Sequence, residues 1–134
     1  MNDIAAILTT LQYGDSFFPS GSVSFSWGLE GLVANGSISG GKDVQDFVTG
    51  QLRARWCECD RPVVVASYRA RHADEVAEID DYVETATAAA ELRSGSRRMG
   101  EAMLAVFSRL GIDAATAYRD RIKRRAAYAH LSVM

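Results

Sequence analysis

Asp60-Arg61-Pro62-Val63-Val64-Val65-Ala66-Ser67-Tyr68-Arg69-Ala70-Arg71 is the stretch on which the fold class turns. Three consecutive valines have the composition of a buried strand. Ala66 and the Tyr68-Arg69-Ala70-Arg71 continuation instead extend the segment as a helix, and Asp60 with Pro62 reads as an N-cap and a first-turn proline opening it. With this stretch helical, no credible hairpin signal, repeat or linker is left anywhere in the 134 residues. The chain reads as all-α.

Working outward, the helical period recurs on both sides. Upstream, Val44, Phe47, Val48, Leu52 and Trp56 form one apolar stripe of a helix over residues 43–56. Before it, Phe25, Leu29, Leu32 and Val33 predict a helix from about residue 24, ended by Gly36 in a left-handed C′ position. Ile4, Ile7, Leu8 and Leu11 follow the spacing i, i+3, i+4, i+7 of a short amphipathic helix that stops at Gly14. Residues 14–24 are loop-forming Gly, Ser, Asp and Pro, with Phe17 and Phe18 to pack the loop down. Downstream, residues 74–83 form a strongly acidic fifth helix. A long sixth runs over 87–110 and is closed by Gly111; a seventh begins near Asp113 and runs into the C-terminus. The expectation is a compact array of about seven helices, one domain over residues 1–134. The last helix has no cap, and Tyr118, Ile122, Tyr128, Leu131 and Val133 need a partner surface. Left open, they would expose several hundred Å² of apolar area, which usually marks an interface.

Composition narrows the function classes. Hydrophobic residues at 48% and a formal net charge of −2 exclude intrinsic disorder. Two cysteines, Cys57 and Cys59, cannot frame a disulfide scaffold. No apolar run approaches the ~20 residues of a membrane span. Asp3 stands where a signal peptide carries positive charge, so the expected compartment is the cytoplasm. A pI near 5.6 argues against a dedicated nucleic-acid binder.

The short motifs give little chemistry. Residues 36–42 fit G-x-x-x-x-G-K, but Asp43 follows where a phosphate loop needs Ser or Thr, and a helix precedes instead of a strand. They read as a helix–helix connection. Cys57 and Cys59, two apart on a helix, point about 200° away from each other, and structural zinc wants four ligands. Ordinary buried thiols are the simpler expectation. His72 and His130 stand in no metal-binding or catalytic spacing, so solvated or capping roles are expected. Asp74, Glu75, Glu78, Asp80, Asp81 and Glu84 make an acidic block, and Arg119, Arg121, Lys123, Arg124 and Arg125 a basic one. Both read as solvated faces, with steering of protein partners as the sharper alternative. Gly95 and Gly100 in the sixth helix, and Gly28 and Gly31 in the second, each cost ~1 kcal/mol against alanine, which argues for close backbone approach.

Taken in order, the blocks resemble a known family. Leu11-Gln12, then Phe18-Pro19-Ser20-Gly21-Ser22-Val23-Ser24-Phe25-Ser26-Trp27-Gly28-Leu29-Glu30, is similar to the signature of the urease accessory protein UreF. Asp60-x-Pro62 with Tyr68-Arg69-Ala70 follows, then Glu91-Leu92-Arg93 and Ser96-Arg97-Arg98-Met99-Gly100, then Ala129-His130-Leu131. Ser22, Val23, Phe25 and Ser132 depart from the pattern, and Phe25 lacks the hydroxyl of the usual tyrosine. The resemblance covers nearly all of this chain but only about the first three-fifths of the family's length, so the fold is expected to be truncated.

What the resemblance implies is a non-enzymatic helical chaperone. It would be a cytoplasmic, dimeric scaffold joining a UreD-type (UreH-type) accessory protein and a UreG-type GTPase, for GTP-dependent nickel insertion into apo-urease. Nickel would be handled by the complex, with no cofactor held tightly by this chain, no catalytic or metal-ligating residue, no nucleic acid and no membrane. Motif and interface roles fall on Pro19, Gly21, Ser26, Gly28, Leu29, Glu30, Asp60, Pro62, Tyr68, Glu91, Arg93, Arg97, Arg98, Gly100 and His130. Gly21 is expected to need positive φ and Glu30 to satisfy buried donors. Arg93 and Arg97, one i, i+4 step apart, would share an interaction face, with Arg98 about 100° further round. The alternatives are a small cytoplasmic metal-binding regulator using Cys57 and Cys59, a small enzyme with a loop site at residues 15–26, or a shortened copy without function.

Overall fold

A computed structural model describes residues 3–15 and 26–134. These form helices α1 (Asp3–Gly14), α2 (Leu29–Ala34), α3 (Gly41–Gly50), α4 (Arg61–Arg69), α5 (Ala73–Ala86), α6 (Ala90–Arg109) and α7 (Asp113–Lys123). The described residues contain no strand. Pro19, Gly21, Phe17, Phe18 and the start expected for the second helix at residues 24–25 lie outside them. The all-α expectation holds, with the valine run inside α4.

Two boundaries differ from the sequence reading. First, α2 begins only at Leu29, because Trp27 (φ 55°) and Gly28 (φ 91°) are left-handed and cannot enter a right-handed helix. Second, Pro62 does sit in the first turn of α4 behind Asp60, as expected, but the helix before it does not end there. Gln51–Asp60 is a π-helical segment that joins α3 to α4, so residues 41–69 run as one rod and the described residues form six separate helices rather than seven. Asp60 is itself helical (φ −68°, ψ −44°), and Arg61 donates its N–H five residues back to the Trp56 carbonyl. Pro62 has no N–H to give, and its ring crowds the carbonyl four residues earlier. The wider π turn ahead of it absorbs that conflict without breaking the rod.

The core lies in the second half. Leu104, Ala115, Tyr118, Ala127 and Ala129 are buried together, with Val76, Phe107, Ile122 and Met134 packed against them. α6 and α7 pack on each other across the turn at residues 110–112, where Gly111 takes φ 82°. α7 stops at Lys123, not at the end of the chain. Arg125 takes φ 59°, and residues 126–134 turn back across α5 and α6. Tyr118 and Val133, expected to seek a partner chain, are therefore buried. The open apolar surface lies elsewhere. Ile4, Ile7, Leu8 and Leu11 of α1 are exposed, as are Val44, Val48, Leu52 and Trp56 along the long rod. α1 touches the second half through Tyr13, which meets the Phe107 ring edge-on at 4.9 Å.

Candidate functional site

The acidic helix α5 is not a wholly solvated face. Val76, Asp80, Val83 and Glu84 recur at i, i+4, i+7 and i+8, which sets both carboxylates on its inward row. Asp80 is fully buried. An unpaired buried carboxylate is very costly, and here four donors converge on it. The Tyr118 hydroxyl donates at 3.0 Å, and the backbone N–H groups of Tyr128, Ala129 and His130 donate at 2.7, 2.7 and 2.8 Å. Three successive amides can aim at one carboxylate because Ala129 is left-handed, at φ 64°, and curls the backbone into an anion-holding nest. Burial, and then the Asp80 charge, push the Tyr118 hydroxyl well above its ordinary pKa.

Glu84, one turn along, completes the clasp. Its Oε2 lies 2.8 Å from Nε2 of the fully buried His130. Its Oε1 lies 3.4 Å from both Arg93 Nε and Arg97 Nη1. Arg93 also donates through Nη1 to the carbonyls of Thr87 (2.6 Å) and Ala88 (2.9 Å), stapling the link between α5 and α6. The buried Ser96 hydroxyl accepts the Leu131 N–H at 3.1 Å. Met134 N–H reaches the His130 carbonyl at 3.2 Å, so a helical turn begins at His130 with its first amides held by Asp80 and Ser96. Gly100 is what lets this segment lie so close. A Cβ there would run into the Ala129 carbonyl oxygen and stand 3.2 Å from the His130 carbonyl carbon. Asp80, Glu84, Ser96 and Tyr118 spend their bonds within this cluster and hold the returning segment in place, while the buried Nδ1 of His130 has no partner among the described residues.

A smaller cluster ties the first half together. The Arg55 guanidinium lies 3.4 Å from the centre of the Trp27 ring and donates through Nε to Asp60 at 2.9 Å. It joins the Trp27–Gly28 turn to the π segment.

The structure thus brings Arg93, Arg97, Gly100 and His130 together and leaves the other described motif residues apart from them. Asp60 belongs to the smaller cluster. Ser26 accepts the Leu29 N–H through its carbonyl, at the start of α2. Glu30 is exposed, not buried against donors. Pro62, Tyr68, Glu91 and Arg98 are exposed, Tyr68 at 89%. Arg93 and Arg97 do share a face, but it is turned onto Glu84. Close packing explains Gly100 but not Gly28 or Gly31, which have nothing within 4 Å of a Cβ; at Gly28 the requirement is its φ of 91°. His130 is buried and paired, where a solvated or capping role is expected from sequence. Cys57 and Cys59 are exposed thiols, not buried ones. No group of three His, Cys, Asp or Glu among the described residues is placed to hold a metal ion. The glycine–lysine loop does connect two helices, and its Ser39 and Gly40 amides are taken up by the Asp43 carboxylate at 2.9 and 3.1 Å. The sequence reading missed Asp80, Glu84, Ser96 and Tyr118.

Sequence comparison places these observations in a lineage. The sequence model of the UreF family matches residues 38–134, a span that contains the whole clasp. The chain belongs to the UreF family. It is 29% identical over 96% of its length to the urease accessory protein UreF of Bacillus sp. (strain TB-90), covering 58% of that protein. It is 34% identical over 80% of its length to the protein of the same name from Trichodesmium erythraeum (strain IMS101), covering 47% of it. The UreF of Lachnoclostridium phytofermentans is 28% identical over 95% of this chain. The chain spans about half the length of the curated relatives it matches. No solved structure matches. No helix among the described residues is long and apolar enough to cross a membrane.

Proposed function

We propose that this UreF-family chain is a non-enzymatic accessory protein of urease maturation. The family match over residues 38–134 carries this reading, and the relatives it resembles are named urease accessory proteins. The clasp supports it in so far as Asp80, Glu84 and Ser96 spend their bonds on placing a chain segment. In the fuller form of the proposal, the chain acts in the cytoplasm as a dimeric scaffold. It joins a UreD-type (UreH-type) protein and a UreG-type GTPase so that nickel, as cargo, passes to apo-urease during GTP hydrolysis. The motif residues Ser26, Gly28, Leu29 and Glu30, with Asp60, Pro62 and Tyr68, supply the face for those partners.

The test is complementation. A urease operon lacking its UreF gene is co-expressed with this chain, and purified urease is assayed for nickel content and activity. Restoration of both above the empty-vector level is the expected result. Failure to raise either, with the chain present in soluble form, overturns the proposal. Pull-down of the UreD-type protein from the same cells tests the scaffold arm separately.

A further inference from the structure

Between α6 and α7, on the side away from the clasp, lies a groove of about 350 Å³. Its floor is Ala102, Ala105 and Ile122, and its walls carry Arg98, Arg119 and Lys123, with Glu101 the one acid among them. Lys123 bonds Asp120 at 2.8 Å on the surface, a pair worth little. Arg98 and Arg119 have no ion-pair partner among the described residues, unlike Arg93, Arg97 and Arg121, which are engaged with Glu84 and Asp74. Arg124 and Arg125 extend the unpaired positive charge past the end of α7.

A chain with net charge −2 that gathers unpaired arginines along an apolar slot has a surface shaped for something both negative and apolar. The small side chains of the floor allow close approach of a helix, and guanidinium groups at the rim make paired bonds to carboxylates. The geometry points to the α6–α7 groove as a docking site for an acidic amphipathic helix of a partner protein. Apolar residues at i, i+3/i+4 and i+7 of that helix seat on Ala102, Ala105 and Ile122, and its flanking carboxylates meet Arg98, Arg119 and Lys123. A nucleic acid or polyphosphate would use the same cations but leave the apolar floor unused. The identity of the partner as a urease maturation factor rests on the proposed function; the surface and its chemistry do not.

The probe is a fluorescein-labelled synthetic helix with leucine at the i, i+3, i+4, i+7 positions and glutamate elsewhere, titrated with the full chain by anisotropy. Saturable binding is expected, weakened about tenfold or more, or about 1.4 kcal/mol, by Arg119→Glu and by Ile122→Asp. Arg53→Glu, an exposed cation on the π segment, is expected to change it less than about twofold. Circular dichroism confirms that each variant stays folded, and Arg98→Glu serves in place of any that does not. Absence of saturation at about 100 μM chain overturns the inference. Equal loss at Arg53, or equal binding of a helix with serine replacing leucine, overturns it as well. So does tighter binding of duplex DNA or polyphosphate than of the peptide, which would assign the groove to a polyanion. Concentration-dependent self-association lost in Arg119→Glu would assign it to a second copy of this chain instead. None of these readouts involves urease, so failure of complementation and failure of the groove remain separate results.

Discussion

Asp80 concentrates more of the fold's polar bonding than any other described side chain: four donors from α7 and the returning segment meet one carboxylate. Asp80→Asn keeps the shape but turns an NH₂ toward at least one buried N–H. The expected cost is about 3 kcal/mol, measured by urea denaturation. A change under ~0.5 kcal/mol would show that the clasp is incidental. Gly100 and Gly31 make a paired test. Gly100→Ala gains ~1 kcal/mol of helix propensity but drives a methyl into the Ala129 carbonyl, and is expected to lose about 2 kcal/mol net. Gly31→Ala meets open space in α2 and is expected to be neutral or stabilising by up to ~1 kcal/mol. Tyr118 sets an alkaline limit. Its folded pKa is raised above the ordinary 10.0, so its stabilising contribution is complete below pH 10. It is then lost as pH rises, at up to ~1.4 kcal/mol per pH unit, because only the unfolded phenol ionises readily. Tyr118→Phe is expected to be less stable at neutral pH and to lack that part of the alkaline slope in denaturation titrations from pH 8 to 11. The glycine and arginine positions were visible in the sequence as anomalies. Their partners were not, since Asp80 and the amides it holds are almost fifty residues apart.

Elements show where local signals suffice and where they fail. α6 is legible because its apolar period is long and Gly111 ends it. The valine run is legible as helix because its continuation keeps a helical pattern through Arg69. The continuous join at Pro62 is not legible, because a first-turn proline after a loop and one after a π turn look alike from neighbouring residues. The difference lies in whether the carbonyls behind it still have takers. Asp80 and Glu84 were hidden by composition: in a helix with six acids, the two sharing a row with Val76 and Val83 are the inward ones, and that spacing was readable. The loop before α3 carries its own prediction. Backbone N–H bonds from Ser39 and Gly40, and then the Ser39 hydroxyl, hold the Asp43 carboxyl below its ordinary 3.8. Its stabilising effect is therefore present above pH 3.8 and lost as pH falls through the lowered value. Asp43→Ala is expected to speed hydrogen exchange at the Ser39 and Gly40 amides at neutral pH, leaving α6 unchanged. Unchanged exchange at both amides would mean that the loop is held by other contacts.

Across the whole molecule, stability is unevenly placed. The buried apolar cluster and the clasp both belong to residues 73–134, whereas α1 and the rod over 41–69 keep much of their apolar surface open. The C-terminal stretch was expected to be the loose part, a helix with nothing to cover it. The left-handed turns at Arg125 and Ala129 defeat that expectation, and neither residue is a glycine that would have announced them. Local opening free energy follows buried contacts and internal hydrogen bonds. Native-state hydrogen exchange is therefore expected to find the slowest amides in α6, α7 and at Tyr128, Ala129 and His130, and faster ones in α1 and along α3 and the π segment. In Asp80→Asn, residues 128–131 should lose protection by about two orders of magnitude, the equivalent of ~3 kcal/mol, while residues 41–60 stay as they were. Early, uniform exchange of residues 124–134 in the unaltered chain would restore the picture of an uncovered end and remove the clasp as the organising centre of this fold. Loss of protection at residues 41–60 in the same variant would show instead that both halves open together.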